Sequence, residues 1–336
     1  MNSPDLPDLE TYLGKRRVEE TFLSLSQAHG LAAMLDRDTA SLKNGAILPA
    51  GWHWVYFTPT AGRSALGVDG HTERDGFLGA PLPRRMWAGG SIRFPGTLRI
   101  GEPATRISTI QSIERKQGRS GPLVFVTVLH QITNQDGVAV EEEQNLVYLP
   151  ETPPGEKAGG ATRPAIQIPE GADWSEAYTA DEITLFRFSA LTFNSHRIHY
   201  DARYTTEVEG YPGLVVHGPL LALLLLDAGV RHATDSSATG EGSTVADVST
   251  VADSSIRAGS STDVLPRLFR YRALRPLFCN ESFQLVGQHV NDEARVVDQA
   301  PALGDQPDQP NRRVMKLWAA HPERGVATEA DLVMAD

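Results

Sequence analysis

The chain has 336 residues, of which 40% are hydrophobic and 22% charged, and a formal net charge of −11 at pH 7. That length suits two domains of ordinary size, and the apolar content excludes a chain disordered throughout. The acidic balance speaks against nucleic-acid binding, and the single cysteine, Cys279, excludes an internal disulfide or a cysteine-rich metal site.

The N-terminal stretch is polar and acidic and lacks the basic-then-apolar layout of a secretory signal. Residues 18–35 carry apolar side chains at near-helical spacing and predict a helix, weakened by Gly30. Residues 51–57 are aromatic and β-prone and predict a short strand, and the Gly- and Pro-rich stretch 59–95 reads as loop. Strands are expected at 106–116, 123–133 and 143–149, with Asn134-Gln135-Asp136-Gly137 supplying the turn before the last. From Arg84 to Arg119 there are eight basic and two acidic residues. Such a local basic surface on an acidic protein suits a small polyanion such as a nucleotide, the plainer alternative being solvated strand faces.

Residues 151–164 are rich in Pro and Gly without period and read as a linker between a first domain at 1–150 and a second at 165–336. The second half repeats the element order of the first, with strands expected at 268–273, 283–289, 314–320 and 325–334. Segments 232–263 and 291–311 are too poor in large apolar groups to form core and read as exposed inserts without chemistry. The longest apolar run, 220–226, is far short of the about 20 residues that span a bilayer. The expectation is a cytoplasmic protein with no membrane partner.

The chemistry concentrates between residues 188 and 219. Asn194, His196, Arg197, His199 and Asp201 are followed by Gly213, Val216, His217, Gly218 and Pro219, between strongly apolar flanks. Dense titratable and amide groups in apolar surroundings mark a water-poor reactive pocket. Pro219 is suited to a first helical turn, Leu220 to Leu226 are apolar all round, and Asp227-Ala228-Gly229 reads as a stop. A buried helix there aims free N–H groups out of its N-terminus, and Gly218 lets an oxygen gaining negative charge approach them; an ordinary Gly-Pro entry to a buried helix is the alternative. His199 has the side chain of a general acid or base near neutral pH. His196 and His199 without a nearby Cys or Glu make a weak zinc pattern, so no metal is expected. No Gly-x-Ser-x-Gly elbow, Walker loop or Gly-x-Gly-x-x-Gly turn is present.

Asn194 to His199, followed by Val216-His217-Gly218 and the apolar run, resembles the motif of the MaoC-like acyl-CoA hydratases and dehydratases, which reads Asp-x-Asn-Pro-x-His and then Val-His-Gly. Pro83 to Gly90, with Arg84, Arg85 and Trp87, and Gly118 to Phe125 are similar to the double-hotdog branch that holds mesaconyl-C4-CoA hydratases and mitochondrial 3-hydroxyacyl-thioester dehydratases. The resemblance implies an α+β double hotdog, two curved antiparallel sheets each wrapping a central helix. It implies a hydro-lyase acting on 2-enoyl-CoA, mesaconyl-C4-CoA to a malyl-CoA-type product being one such reaction, without a cofactor and in a homodimer. Residue by residue, it carries catalysis to Asn194, His196, His199 and Gly218. Substrate contacts fall to Arg84, Arg85, Trp87, Arg197, Gly213, Val216 and His217. The sequence departs from the motif where Asn194 replaces its Asp and His196 its Asn, so the base role rests on His199. A non-catalytic acyl-CoA binder and a hotdog thioesterase are the competing readings.

Overall fold

A computed structural model describes residues 9–72, 77–78, 81–118, 121–150, 165–168, 170–238, 265–290 and 313–335. The proposed linker at 151–164, most of the first insert (239–263) and all of the second (291–311) lie outside them.

Among the described residues, ten strands form one antiparallel sheet. The first half supplies β1 (Arg16–Phe22), β2 (Arg84–Arg93), β3 (Pro103–Gly118), β4 (Gly121–Asn134) and β5 (Gly137–Leu149). The second supplies β6 (Trp174–Thr179), β7 (Pro266–Ala273), β8 (Ser282–Val290), β9 (Val314–His321) and β10 (Gly325–Met334). The order is β1-β3-β4-β5-β2-β7-β10-β9-β8-β6, so each half runs first, third, fourth, fifth, second strand from its outer edge inward. The halves join where β2 pairs with β7, Gly90 opposite Tyr271 and Ile92 opposite Phe269. This is the double hotdog that the motif implied.

Among the described residues, three α-helices accompany the sheet: α1 (Leu25–Met34), α2 (Glu182–Thr192) and α3 (Gly218–Ala238). Every residue from Leu220 to Leu226 is buried as α3 packs against β7 to β10. Burying a leucine contributes about 1.5–3 kcal/mol, so this run anchors the core. Among the described residues, no helix is long and apolar enough to cross a membrane.

Four expectations are corrected. The helix expected from residue 18 begins only at Leu25, because Arg16–Phe22 alternates in burial and pairs with β3 at the sheet edge. The stretch 51–57 is no strand: Gly51 turns the chain at φ 80°, and Trp52–Val55 forms a 3-10 turn whose Trp52, Val55 and Tyr56 are buried together. The loop expected at 59–95 contains β2. Helix α3 does not stop at Gly229. A Cβ there would lie 2.7 Å from Leu332 and 2.9 Å from Leu317, so this glycine serves close packing on the sheet and the helix runs on to Ala238.

Candidate active site

Helix α2 is capped at its start by Asp181, whose side chain accepts from the Thr184 N–H at 2.8 Å. It ends at Phe193 in the left-handed conformation, φ 51°, which turns the chain into the motif segment. Asn194 Oδ1 then accepts the His196 N–H at 3.0 Å, a local turn that leaves the amide NH2 for another partner. A short turn at Arg197–His199 presents the last histidine. Its Nδ1 donates to the Val215 carbonyl at 2.7 Å, leaving Nε2 as the ring nitrogen with a lone pair.

The His199 ring stacks on His217 at 3.6 Å and meets His196 edge-on at 5.4 Å. His217 reaches Ser189 Oγ at 2.9 Å through Nε2, while its buried Nδ1 has no partner. Gly218 follows directly and opens α3. A Cβ on it would stand 2.9 Å from Trp87 Cε3, so the indole of β2 leaves room only for hydrogen at this helix entrance. The amides of a first helical turn have no partner within the helix and remain donors.

Two residues that sequence reading missed complete the cluster. His71 lies 3.9 Å from His196, ring to ring, and Asp69 Oδ2 accepts from its Nδ1 at 2.8 Å. Their signal lies inside the Gly- and Pro-rich stretch: an Asp two residues before a His across a glycine has the spacing of an Asx turn, and Asp69 Oδ1 does accept the His71 N–H at 2.9 Å. The ligand atoms of Asp69, His71 and His196 lie within 4.8 Å of one another, close enough to share a divalent ion.

Burial holds these imidazoles neutral. His199 is pushed down to about 4, with His71 adding to the effect and the Val215 carbonyl opposing it. His196 is far below the usual histidine range through burial and then the charges of His71, His199 and Arg85. His217 is depressed by burial and by His199. His71 is lowered by burial and Arg85 against the pull of Asp69. At neutral pH the cluster therefore offers proton acceptors.

Beside it lies a cavity of about 320 Å³ lined by Arg85, Trp87, His71, Asn194, Ser195 and Pro219 among others. One wall is aromatic: Trp87 stacks on Tyr271 at 4.5 Å and meets Trp54 edge-on at 6.0 Å. Trp54 is held in turn by buried Glu142, which accepts from its Nε1 and pairs with His53, each at 3.0 Å. Arg85 is half-buried on the cavity, and among the described residues no carboxylate forms a salt bridge with it. Arg84 and Arg197 are placed otherwise than expected. Arg84 pairs with Glu209 at 3.2 Å, and Arg197 pairs with Asp201 at 2.7 Å and lies over the Tyr204 ring. Neither lines the cavity, nor do Gly213 and Val216, the latter buried at 2% exposure in the core. His196, His199, His217 and Gly218 lie beside it without forming its lining.

The hydroxyacyl-thioester dehydratase type 2 family model matches residues 51–240. Mesaconyl-C(4)-CoA hydratase of Chloroflexus aurantiacus is 40% identical over 305 residues, 88% of this chain and 96% of that protein. Mitochondrial hydroxyacyl-thioester dehydratase type 2 of Schizosaccharomyces pombe is 30% identical over 54% of this chain and 66% of its own length. Among solved structures, a MaoC-like dehydratase superposes with a TM-score of 0.61 at 11% identity, covering 97% of this chain and 98% of that one, which speaks for the fold. On these matches, the chain belongs to the hydroxyacyl-thioester dehydratase type 2 family.

Proposed function

We propose that this protein is a hydro-lyase that adds water reversibly across the double bond of a 2-enoyl-CoA thioester, the reverse being dehydration of the 3-hydroxyacyl-CoA. Its acyl group, in this reading, is short and carries a second carboxylate, as in mesaconyl-C4-CoA, which would give a malyl-CoA-type product. The observation that carries the reading is the packing of the Asn194–His199 segment beside the Gly218 entrance of a buried helix, next to a cavity lined by Arg85, which has no salt-bridged carboxylate among the described residues.

The thioester oxygen receives the Gly218 N–H as it becomes an enolate, an interaction typically worth about 2.7–4 kcal/mol per donor. Asn194 donates its free amide NH2 to the attacking water, and His199 Nε2 accepts one of that water's O–H groups. The other proton moves to an imidazole and from there to the α-carbon, a transfer that typically contributes about 100- to 10,000-fold. Trp87 covers the acyl group, and Arg85 meets its distal carboxylate. The reading extends to a cytoplasmic homodimer, supported by a lone cysteine suited to a reducing compartment and testable by sedimentation.

Incubation with mesaconyl-C4-CoA, crotonyl-CoA and itaconyl-CoA, with products read by mass spectrometry, is expected to show gain of one water and fastest turnover of a dicarboxylic ester. Release of free CoA, or an unchanged panel, would overturn the reading.

A further inference from the structure

The motif's carboxylate is missing at position 194, where an amide can neither take nor release a proton near neutral pH. A carboxylate nevertheless reaches the imidazole cluster, and it comes from the other half of the chain. Asp69 grips His71 twice, by Oδ2 on Nδ1 at 2.8 Å and by Oδ1 on its backbone N–H at 2.9 Å. Bonding at Nδ1 leaves Nε2 as the nitrogen free to exchange a proton.

The loop that carries this pair is clamped to the motif. Gly70 O accepts the Ser195 hydroxyl at 2.6 Å, and Asp69 O accepts the Arg197 N–H at 2.8 Å. Arg197 Nη1 adds a bond to Val68 O at 3.1 Å. Gly70 sits at φ +88°, and a Cβ there would fall 1.9 Å from Ser195 O, so the approach demands glycine. The contact is therefore built in on both sides. Among the described histidines, His71 alone lines the cavity.

We infer that Asp69 and His71 form the proton-transfer dyad of this site. His71 is the catalytic residue that carries the proton between the water oxygen and the α-carbon, and Asp69 is the positioning residue that fixes its ring. This inference rests on the hydration reading. In the hydration direction, the water oxygen bonds to the β-carbon as one of its protons passes to His71 Nε2, and the π electrons move to the thioester oxygen. The imidazolium then returns the same proton to the α-carbon as the enolate collapses, leaving His71 neutral and the 3-hydroxyacyl thioester complete. Dehydration runs the same steps backward.

The charges around the ring suit this cycle. His71 faces Asp69 on its own loop, Arg85 from β2, and His196 and His199 from the motif segment; Asp69 also faces Tyr204. Burial and Arg85 keep the resting imidazole neutral, while Asp69 opposes them and meets the positive charge that appears in transit. A metal ion shared by Asp69, His71 and His196 is the competing use of these groups. The bond already made between Asp69 and His71, with a guanidinium acting on both, favours the dyad.

The experiment compares wild type, His71→Ala and Asp69→Asn on crotonyl-CoA and mesaconyl-C4-CoA across pH, with bound metal measured by atomic emission. His71→Ala is expected to lower kcat by about 100- to 10,000-fold with KM changed by less than about threefold. Asp69→Asn removes the charge that raises the imidazole's pKa, so the acidic limb of kcat/KM is expected to move to lower pH. A purely structural role would not move that limb. Should His71→Ala fail to fold, the Asp69→Asn profile decides alone. His71→Ala within about tenfold of wild type, or an unmoved limb, would overturn the dyad. So would stoichiometric metal in wild type that Asp69→Asn loses together with activity. A wild type inactive on both esters would sink the hydration reading itself, whereas an active wild type with an active His71→Ala sinks the dyad alone.

Discussion

At position 218 the Trp87 indole leaves room for hydrogen alone, because a Cβ would sit 2.9 Å from its Cε3. Gly218→Val should displace the indole from the amide that the reading assigns to the oxyanion. A fall in kcat of about 100- to 1,000-fold is expected, the usual loss for one such donor. Measured on a variant whose cooperative melt is retained, unchanged kcat would remove the amide from the mechanism. Arg85 invites a different test, since its guanidinium lines the cavity without a carboxylate partner among the described residues. Arg85→Gln is expected to raise KM for an enoyl-CoA with a second carboxylate by about tenfold or more while leaving a neutral short-chain ester within about threefold. Equal effects on both esters would mean that Arg85 serves CoA or the fold.

The buried imidazoles also couple stability to acid. His130 and His199 are both pushed down to about 4, and His71, His196 and His217 are lowered too, burial coming first in every case. Unfolded histidines bind protons below about 6.5, while folded His130 and His199 do not until near pH 4, so the unfolded state holds more protons in that window. Stability should therefore be full above about pH 6.5 and fall as pH drops toward 4, by about 1.4 kcal/mol per pH unit for each such histidine. Urea unfolding at several pH values checks this, and a flat profile between pH 7 and 5 would contradict it. At this scale the sequence was legible where chemistry is local. Asn194, His196 and His199 lie within six residues and fold together through one Asx turn and one ring contact. It was illegible where the partner is remote. Arg84 has the charge of a ligand-binding residue, but nothing in its neighbourhood reveals that Glu209 takes it up, whereas Arg197 is taken up by Asp201 only four residues on. The Gly70–Ser195 contact spans 125 positions.

Among the elements, periodicity found those whose burial repeats and missed those set by a single contact. Strand β4 alternates in burial along most of its length and β3 over part of it, and both were readable; β5 and β7 to β10 fall where apolar runs lie between turn residues. The 51–57 stretch was not readable, because its aromatic residues are buried around a 3-10 turn instead of on one strand face. What holds that turn is Glu142 of β5, a carboxylate 3% exposed that accepts from both His53 and Trp54. Burial alone would raise its pKa, yet the hydrogen bonds and the two nearby imidazoles keep it below the usual carboxylate range and ionised. Glu142→Ala would leave two buried ring nitrogens without their acceptor. A loss of about 3–5 kcal/mol is expected from breaking a buried pair. Chemical denaturation measures it, and a cost under about 1 kcal/mol, the range of an exposed pair, would show that the turn is fixed by packing instead.

For the whole molecule, the decisive contact is the seam between β2 and β7, which makes one sheet out of two five-stranded halves with the same strand order. The motif residues and α3 belong to the second half, while Trp87, Arg85, His71 and Asp69 come from the first, so the site exists only if the seam holds. The seam is a place of forced small residues. A Cβ on Gly90 would lie 2.2 Å from Glu143 O and 2.6 Å from the Tyr271 hydroxyl, one neighbour on each flanking strand. Neither the β5 backbone nor the Tyr271 ring, which is stacked on Trp87 and 4% exposed, has space to retreat. Gly90→Leu should therefore part β2 from β7 while replacing none of the residues assigned to the chemistry. The expected outcome is loss of activity together with a split or lowered melting transition and faster proteolysis between the halves. Single-transition melting with wild-type turnover would mean that the seam bends to accept a side chain, and that the two halves are positioned by the α3 core and the 68–71 clamp instead.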